Sequence, residues 1–455
     1  MLTDALAAFA DRPGLIAADR QLTWGQALAL GRQLIAGLPR PRSLVMLRCR
    51  TDIESVSALL ALLADGHVPL LVEADLAPAL GAQLAERYRV EAIVDPATEV
   101  TLTGAVPAEL NPALALLLTT SGSTGSPKLV RLSAAGLAAN AAAIAASLDL
   151  SADERPLLHL PISYSYGLSV ITSHLSVGAA LVPTTAGIME PAWWAALADH
   201  GATSISGVPF HYATLRRFGE ARLDLPQLRT LTQAGGKLDA KIAAWFADFA
   251  ARSGRRFVIM YGQTEAGPRI ATLPPEHALA ATDAIGRPIP GVSIRLVDED
   301  GGDVAPGEAG EMLVRSPAVM LGYAHGPDDL AAGDTLGGEL ATGDVAVLGP
   351  DGLYRIVGRR SRLLKIFGLR INLDEIETRL AAIGHPALAF GDDDRLQLLL
   401  EAPGSDVAEV RARLTELFSL PPRGIEIRSA GTPVERGATG KISKAAFAAA
   451  WEAAA

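Results

Sequence analysis

The stretch LLLTTSGSTGSPKLV, residues 116–130, sets a loop of glycine and hydroxyl residues between two apolar runs. Gly122 and Gly125 let backbone N–H groups turn toward an anion, the Ser and Thr hydroxyls add donors, and Lys128 adds a charge. That chemistry suits phosphate. The nucleotide-triphosphatase loop, however, reads GxxxxGK[ST] and opens straight into a helix. Here Pro127 precedes an alternating KLVRLS that reads as a strand, and helix-forming residues begin only near Ala134. With ALALLL (113–118) as a short buried strand feeding it, the unit is strand–loop–strand, a poor fit to a P-loop ATPase.

Outward from this loop, SLVMLR and HVPLLVE read as strands, while DIESVSALLALLAD and LAPALGAQLAERY read as helices. Their alternation argues a mostly parallel α/β sheet up to about residue 94. It resumes after the loop to about residue 280, where FVIMYG (257–262) runs into a second loop. Beyond it, VSIRLVDEDGGDVAPGEAGEMLVRS and ELATGDVAVLGPDGLYRIVG each read as strand, turn, strand, which places a β-rich subdomain at about 285–358. A basic segment follows, then a helix–strand–strand–helix–strand pattern to residue 428, a glycine-rich loop and a last helix.

Forty basic against fifty acidic side chains give a net charge of −10, which argues against a nucleic-acid partner. The single cysteine, Cys49, excludes an intramolecular disulfide and a cysteine-rich metal site. The opening MLTDALAAFADRPG lacks the basic flank of a signal peptide, and no apolar run approaches about 18 residues. A soluble cytoplasmic protein without a membrane partner is the expectation.

The string 116–130 resembles the signature loop of the adenylate-forming superfamily, which comprises acyl- and aryl-CoA ligases, adenylation domains and beetle luciferase. YGQTEAG (261–267), ATGD (341–344), GRRSRLLKIFGLRINLDEIE (358–377) and GATGKISK (437–444) resemble further motifs of that family, in order. Weaker matches at LTWGQAL (22–28) and LLADGHVPLLVEADL (62–76) extend the resemblance over nearly the whole chain. It implies an α/β fold: a large N-terminal domain of mixed sheets, residues 1–358, with the β-rich subdomain, and a small mobile α+β C-terminal domain, residues 359–455.

The resemblance also implies an activity, joining a carboxylic acid to the α-phosphate of ATP and then passing the acyl group to a phosphopantetheine thiol. Two anions must meet, so catalysis is charge neutralisation and positioning. By carry-over, Thr119, Thr120, Ser121, Gly122, Ser123, Thr124, Gly125 and Lys128 cradle the β- and γ-phosphates. Thr264 meets the α-phosphate and Glu265 helps hold Mg²⁺, with Gly262 and Gln263 of the same motif and Gly235 and Gly236 of QAGGKL also against the nucleotide. Tyr261 lies along the adenine, Asp344 accepts from the ribose hydroxyls, and Arg359 adds a ribose or phosphate contact. Lys441 enters between the carboxylate and the α-phosphate. Lys365 serves the second half-reaction and Gly368 lines the thiol's approach. Where relatives carry an acid or lysine as the hinge, this chain has Ser361 followed by Arg362, and a serine can pivot because a hinge needs only a tolerant backbone.

The acid pocket implied by the family draws on Tyr164, His211, Gly235 and Gly267. LPISYSYGLS (160–169) carries none of the acid that holds the ammonium in amino-acid-activating relatives, so an uncharged acyl or aryl acid is expected. Arg269 reads as a surface or supporting arginine, with a second substrate carboxylate as the alternative. An amino-acid adenylation enzyme, a luciferase-type oxygenase and a non-catalytic nucleotide binder share some or all of these motifs. Coenzyme A and a carrier protein both remain open as acceptor. Six basic residues between Tyr354 and Arg370, with no acid among them, read as a basic rim that suits either. A phosphate loop beginning as early as residue 119 tilts the expectation toward an acyl or aryl carrier protein.

Overall fold

The computed structural model describes residues 2–119, 128–366, 369–392, 395–402, 406–418, 425–430, 432–434, 442 and 444–454. The strand Leu114–Thr119 pairs antiparallel with Leu129–Ser133, Thr119 opposite Leu129, as the strand–loop–strand reading requires. Ser133 then caps the helix Ala134–Ser147 by accepting from the Gly136 N–H at 2.9 Å, so the helix begins where the alternation stops.

These strands belong to a seven-stranded sheet whose order is Gly322–Ala324, Leu129–Ser133, Leu114–Thr119, Val68–Glu73, Leu44–Cys49, Ala92–Val94, Val100–Leu102. Its middle pairings are parallel and its outer ones antiparallel, so it is mixed. A second seven-stranded sheet runs Val182–Pro183, Pro156–Leu158, Ser204–Gly207, Thr230–Gln233, Arg256–Tyr261, Ala271–Thr272, Arg287–Pro288, parallel through its first five strands. Helices Ile53–Ala64, Ala134–Ser147 and Ser165–Ser176 contribute to one buried apolar cluster shared with both sheets, including Leu118, Val130, Ile144, Ile171 and Met260. Burial on this scale is the dominant favourable term in folding.

The β-rich span holds a four-stranded antiparallel sheet, Ser293–Val297, Ala309–Arg315, Glu339–Leu348 and Tyr354–Arg359. Two short strands within it go elsewhere: Arg287–Pro288 extends the second sheet and Gly322–Ala324 the first. Arg131 fastens the latter return. It is 1% exposed, and one Nη donates to the carbonyls of Leu321 at 2.7 Å and Gly333 at 3.2 Å. This clamp brings Tyr323 beside Lys128.

After residue 362 comes a hairpin, Leu363–Ile366 with Leu369–Asn372. Helices Leu373–Ala382 and Val407–Phe418 then pack on the strands Ala387–Asp392, Arg395–Leu400 and Ile425–Ser429 around their own apolar cluster. A second cluster forms where Phe390, Phe447 and Trp451 stack, with the helix Lys444–Ala453 supplying the last two.

Buried histidines give the fold a pH limit. His174 shares its Nδ1 with the Val170 carbonyl at 2.8 Å inside the helix Ser165–Ser176, and burial pushes its pKa down to about 4, against a smaller opposing pull from Glu154. The folded state therefore holds a neutral imidazole that the unfolded chain protonates near 6.5. Stability is full above that value and falls as pH drops toward 4, by up to about 1.4 kcal/mol per pH unit for this one residue. Denaturant unfolding at pH 7, 6 and 5 should show a shallower loss for His174→Gln than for the native chain. Equal slopes would locate the titration elsewhere.

Candidate active site

Lys128 is the first described residue after the phosphate loop, and its Nζ lies 3.6 Å from the centroid of the Tyr323 ring, a close cation–π contact. The Tyr323 hydroxyl donates to Glu265 Oε1 at 2.8 Å, while the Met320 N–H donates to the Glu265 carbonyl at 2.8 Å. Lys128 and Glu265, from two separate motifs, are thus joined through a tyrosine that carries no motif signal. Burial and the Glu265 carboxylate both push the Tyr323 hydroxyl well above its ordinary range, so it remains a donor.

One residue earlier, Thr264 Oγ1 lies 2.9 Å from Ser165 Oγ, at the start of the helix Ser165–Ser176. Gly262 permits this packing. A Cβ there would fall 2.1 Å from the Pro268 carbonyl oxygen, so the motif loop folds directly onto residues 268–269. Gln263 presents a buried Nε2 without a hydrogen-bond partner among the described residues.

The third group forms around Asp344, which is 3% exposed. Tyr261 donates its hydroxyl to Oδ2, and the Arg359 Nε lies 2.8 Å from Oδ1, across the register pair Asp344–Arg359. Burial and this carboxylate raise the Tyr261 pKa well above its usual value. Each carboxylate oxygen has two lone pairs, so a diol can add to these contacts without displacing them.

At the proposed acid end, Gly235 adopts φ +80°, and a Cβ on it would meet the Tyr164 hydroxyl at 2.5 Å. Gln233 Nε2 holds the turn by donating to the Gly236 carbonyl at 2.8 Å. His211 opens the helix Pro209–Phe218, its ring 4.8 Å from that of His159, and burial lowers its pKa to about 4, so it is neutral at pH 7. Gly267 faces another wall, with its Cβ direction toward Asn140 and Ala318.

Two readings change. Arg269 is not a surface residue: it is 1% exposed, with its guanidinium 5.4 Å from the Tyr166 ring centroid. Nor are the four described arginines of the basic run an unpaired rim. Arg355 pairs with Asp283 and Asp351, Arg359 with Asp344, Arg360 with Glu311, and Arg362 with Asp374 and Glu377. The run itself conceals such pairing, because every partner lies outside it, from 4 to 72 residues away. Arg362 thereby ties the segment carrying Ser361 to the helix Leu373–Ala382. Ser361 falls in the turn Arg360–Arg362, and Lys365 in the strand Leu363–Ile366. Thr120, Ser121, Gly122, Ser123, Thr124, Gly125, Gly368 and Lys441 lie outside the described residues.

The profile of the AMP-binding enzymes matches residues 95–324. Feruloyl-CoA synthase of Amycolatopsis sp. is 31% identical over 303 residues, covering 64% of this chain and 60% of that protein. A long-chain-fatty-acid–CoA ligase of Salmonella typhimurium is 30% identical over 312 residues, covering 64% of this chain and 53% of that protein. The match to these curated relatives thus spans less than two thirds of their length. Among solved structures, ATP-bound MatB from Rhodopseudomonas palustris superposes with a TM-score of 0.79 at 20% identity, covering 99% of this chain and 98% of that one. O-succinylbenzoate coenzyme A synthetase from Bacillus subtilis, with ATP and magnesium ion, gives 0.77 at 21% identity and 97% coverage of both chains. These two likenesses establish the fold.

Proposed function

The chain belongs to the AMP-binding enzymes, the adenylate-forming superfamily that its motifs resemble, and from that premise we propose that it is an ATP-dependent acid–thiol ligase. A carboxylate oxygen attacks the α-phosphorus of ATP, the bond to the bridging oxygen breaks, and pyrophosphate leaves. A phosphopantetheine thiol, its proton released to solvent, then attacks the acyl carbonyl and AMP departs. The observation that supports this most is the linked set Lys128–Tyr323–Glu265 beside Thr264 and Tyr261–Asp344–Arg359, which joins strands of all three large sheets.

In this reading, Lys128 and the loop that it ends take the β- and γ-phosphates, Thr264 the α-phosphate, and Asp344 the ribose. Glu265 fits a magnesium ion: Tyr323 holds one carboxylate oxygen, which orients the group, and a half-buried carboxylate beside phosphate is hard-cation chemistry. No cluster of three metal-binding side chains occurs among the described residues, and Glu265 would hold the ion against the phosphates. An ion held there would supply neutralisation of phosphate charge. Lys441 approaches the reacting carboxylate, and the unit 359–455 pivots at Ser361 to bring Lys365 and Gly368 to the thiol.

The names of the curated relatives favour coenzyme A as acceptor over the carrier protein suggested by the early phosphate loop. The pairing of four of the six basic residues favours neither. Pyrophosphate release across a panel of acids tests the proposal, followed by competition between coenzyme A and holo-carrier proteins at matched concentrations. Acyl and aryl acids should drive release, and free glycine, alanine or proline should not, because the pocket walls offer no charge for an ammonium. Release driven by amino acids alone, or by no acid, would sink the reading.

A further inference from the structure

The helix Ser165–Ser176 starts beside both halves of the proposed chemistry. Tyr164, the residue before it, reaches the acid pocket, where a Cβ on Gly235 would meet its hydroxyl at 2.5 Å. The next residue, Ser165, reaches the phosphate motif instead. Its Oγ lies 2.9 Å from Oγ1 of Thr264, a partner 99 positions away in sequence.

Both hydroxyls sit on closely packed backbone. At Gly167 a Cβ would fall 2.2 Å from the Pro161 carbonyl oxygen, and the Tyr164 N–H donates to that same carbonyl at 3.0 Å. The first turn of the helix therefore lies directly on the segment before it. On the other side, Gly262 packs against residues 268–269, and the Met320 N–H holds the Glu265 carbonyl at 2.8 Å. Packing sets the separation of the two oxygens.

The direction of their hydrogen bond follows from counting. A hydroxyl has one proton to give and two lone pairs with which to accept. Ser165 is 4% exposed, and Thr264 Oγ1 is the one hydrogen-bond partner of its hydroxyl among the described residues. Leaving a buried donor unsatisfied is costly, so Ser165 donates and Thr264 accepts. Thr264 is only half-buried, and its own proton is left to point away from Ser165, toward whatever its motif binds.

We propose that Ser165 is a positioning residue of the adenylation step: it donates to Thr264 and so aims the Thr264 hydroxyl at the α-phosphate. This rests on the ligase reading, which gives Thr264 that phosphate. Ser165 itself touches no substrate. Its donation also makes Thr264 the stronger donor, because hydrogen bonds in a chain polarise one another.

The test measures the affinity of AMP and of adenosine, by calorimetry, for the native chain, Ser165→Ala, Thr264→Ala and the double variant. AMP carries the phosphate and adenosine lacks it. Ser165→Ala should weaken AMP about three- to tenfold, the range for one neutral hydrogen bond, and leave adenosine unchanged. In the Thr264→Ala background the same substitution should have no further effect, because the hydroxyl that it directs is gone. Pyrophosphate release at saturating acid reads the same cycle in the reaction: kcat should fall by at least the same factor, with KM for the acid unchanged. A packing role for Ser165 would weaken AMP and adenosine alike and would persist without Thr264. Either result overturns the proposal, as does an unchanged AMP affinity in Ser165→Ala. If no acid releases pyrophosphate, the ligase reading fails, while the comparison of AMP with adenosine still decides what Ser165 does. A native chain that binds no AMP overturns both. Should Ser165→Ala not fold, Ser165→Cys, similar in shape but a weak donor, takes its place and must weaken AMP alone.

Discussion

Lys441→Ala lowers acyl-adenylate formation by at least about a hundredfold and leaves transfer from added acyl-adenylate to the thiol largely intact: this is the expected result. The physical ground is that two anions, a carboxylate and the α-phosphate, approach each other in the first step. An ammonium held between them is worth most when the new bond is forming, and a preorganised donor of this kind contributes on the order of 10²–10³ in rate, about 2.7–4 kcal/mol. GATGKISK suits such delivery, because Gly437 and Gly440, just before Lys441, let a loop enter a cleft. In the second step no such pair of anions approaches, so the lysine has little to do. Pyrophosphate release and thioester formation from preformed acyl-adenylate, measured separately, give the two numbers. Equal damage to both would show that one arrangement of the small unit serves both half-reactions.

Glu265→Gln is expected to reduce adenylation by at least about a hundredfold at fixed Mg²⁺ and to raise the Mg²⁺ concentration needed for half-maximal rate. An amide oxygen can still accept from Tyr323, so the substitution removes charge while keeping the 2.8 Å hydrogen bond. What is lost is the ionic ligand, and metal stabilisation of phosphoryl charge is worth several kcal/mol. Tyr323→Phe provides the contrast. It deletes the hydrogen bond that orients Glu265 but keeps the ring under Lys128, and one neutral donor to a carboxylate is worth about 1.5–3 kcal/mol at most. Its effect should therefore be the smaller of the two and should appear mainly in the Mg²⁺ dependence. A Glu265→Gln enzyme with unchanged Mg²⁺ response would remove the metal from this residue.

Much of the architecture was legible because it is written in short-range pattern. The strand–loop–strand around residues 116–130 follows from Pro127 and the alternation of KLVRLS, and the structure pairs Leu114–Thr119 with Leu129–Ser133. The two strand–turn–strand stretches after residue 290 follow from runs of Gly, Pro and Asp between apolar alternations, and they form one antiparallel sheet. The motifs in order identified the family. In each case the signal is local, because turn chemistry and side-chain period act over a few residues.

Tertiary structure decided which side chains meet. Tyr323 reaches Glu265 across 58 positions, and Tyr261 reaches Asp344 across 83, distances at which no period or propensity speaks. The short strand Gly322–Ala324 leaves its own neighbourhood to edge the first sheet because buried Arg131 binds the carbonyls that flank it. The basic run 354–370 looked like an open surface until its partners, Asp283, Glu311, Asp344, Asp374 and Glu377, were brought beside it. Arg269 is the sharpest instance. From sequence an arginine is expected in solvent, since burying a charge is costly. Only the packing of the helix Ser165–Ser176 over the strands Thr230–Gln233 and Arg256–Tyr261 encloses it, because burial depends on contacts between distant segments and not on the residues beside it.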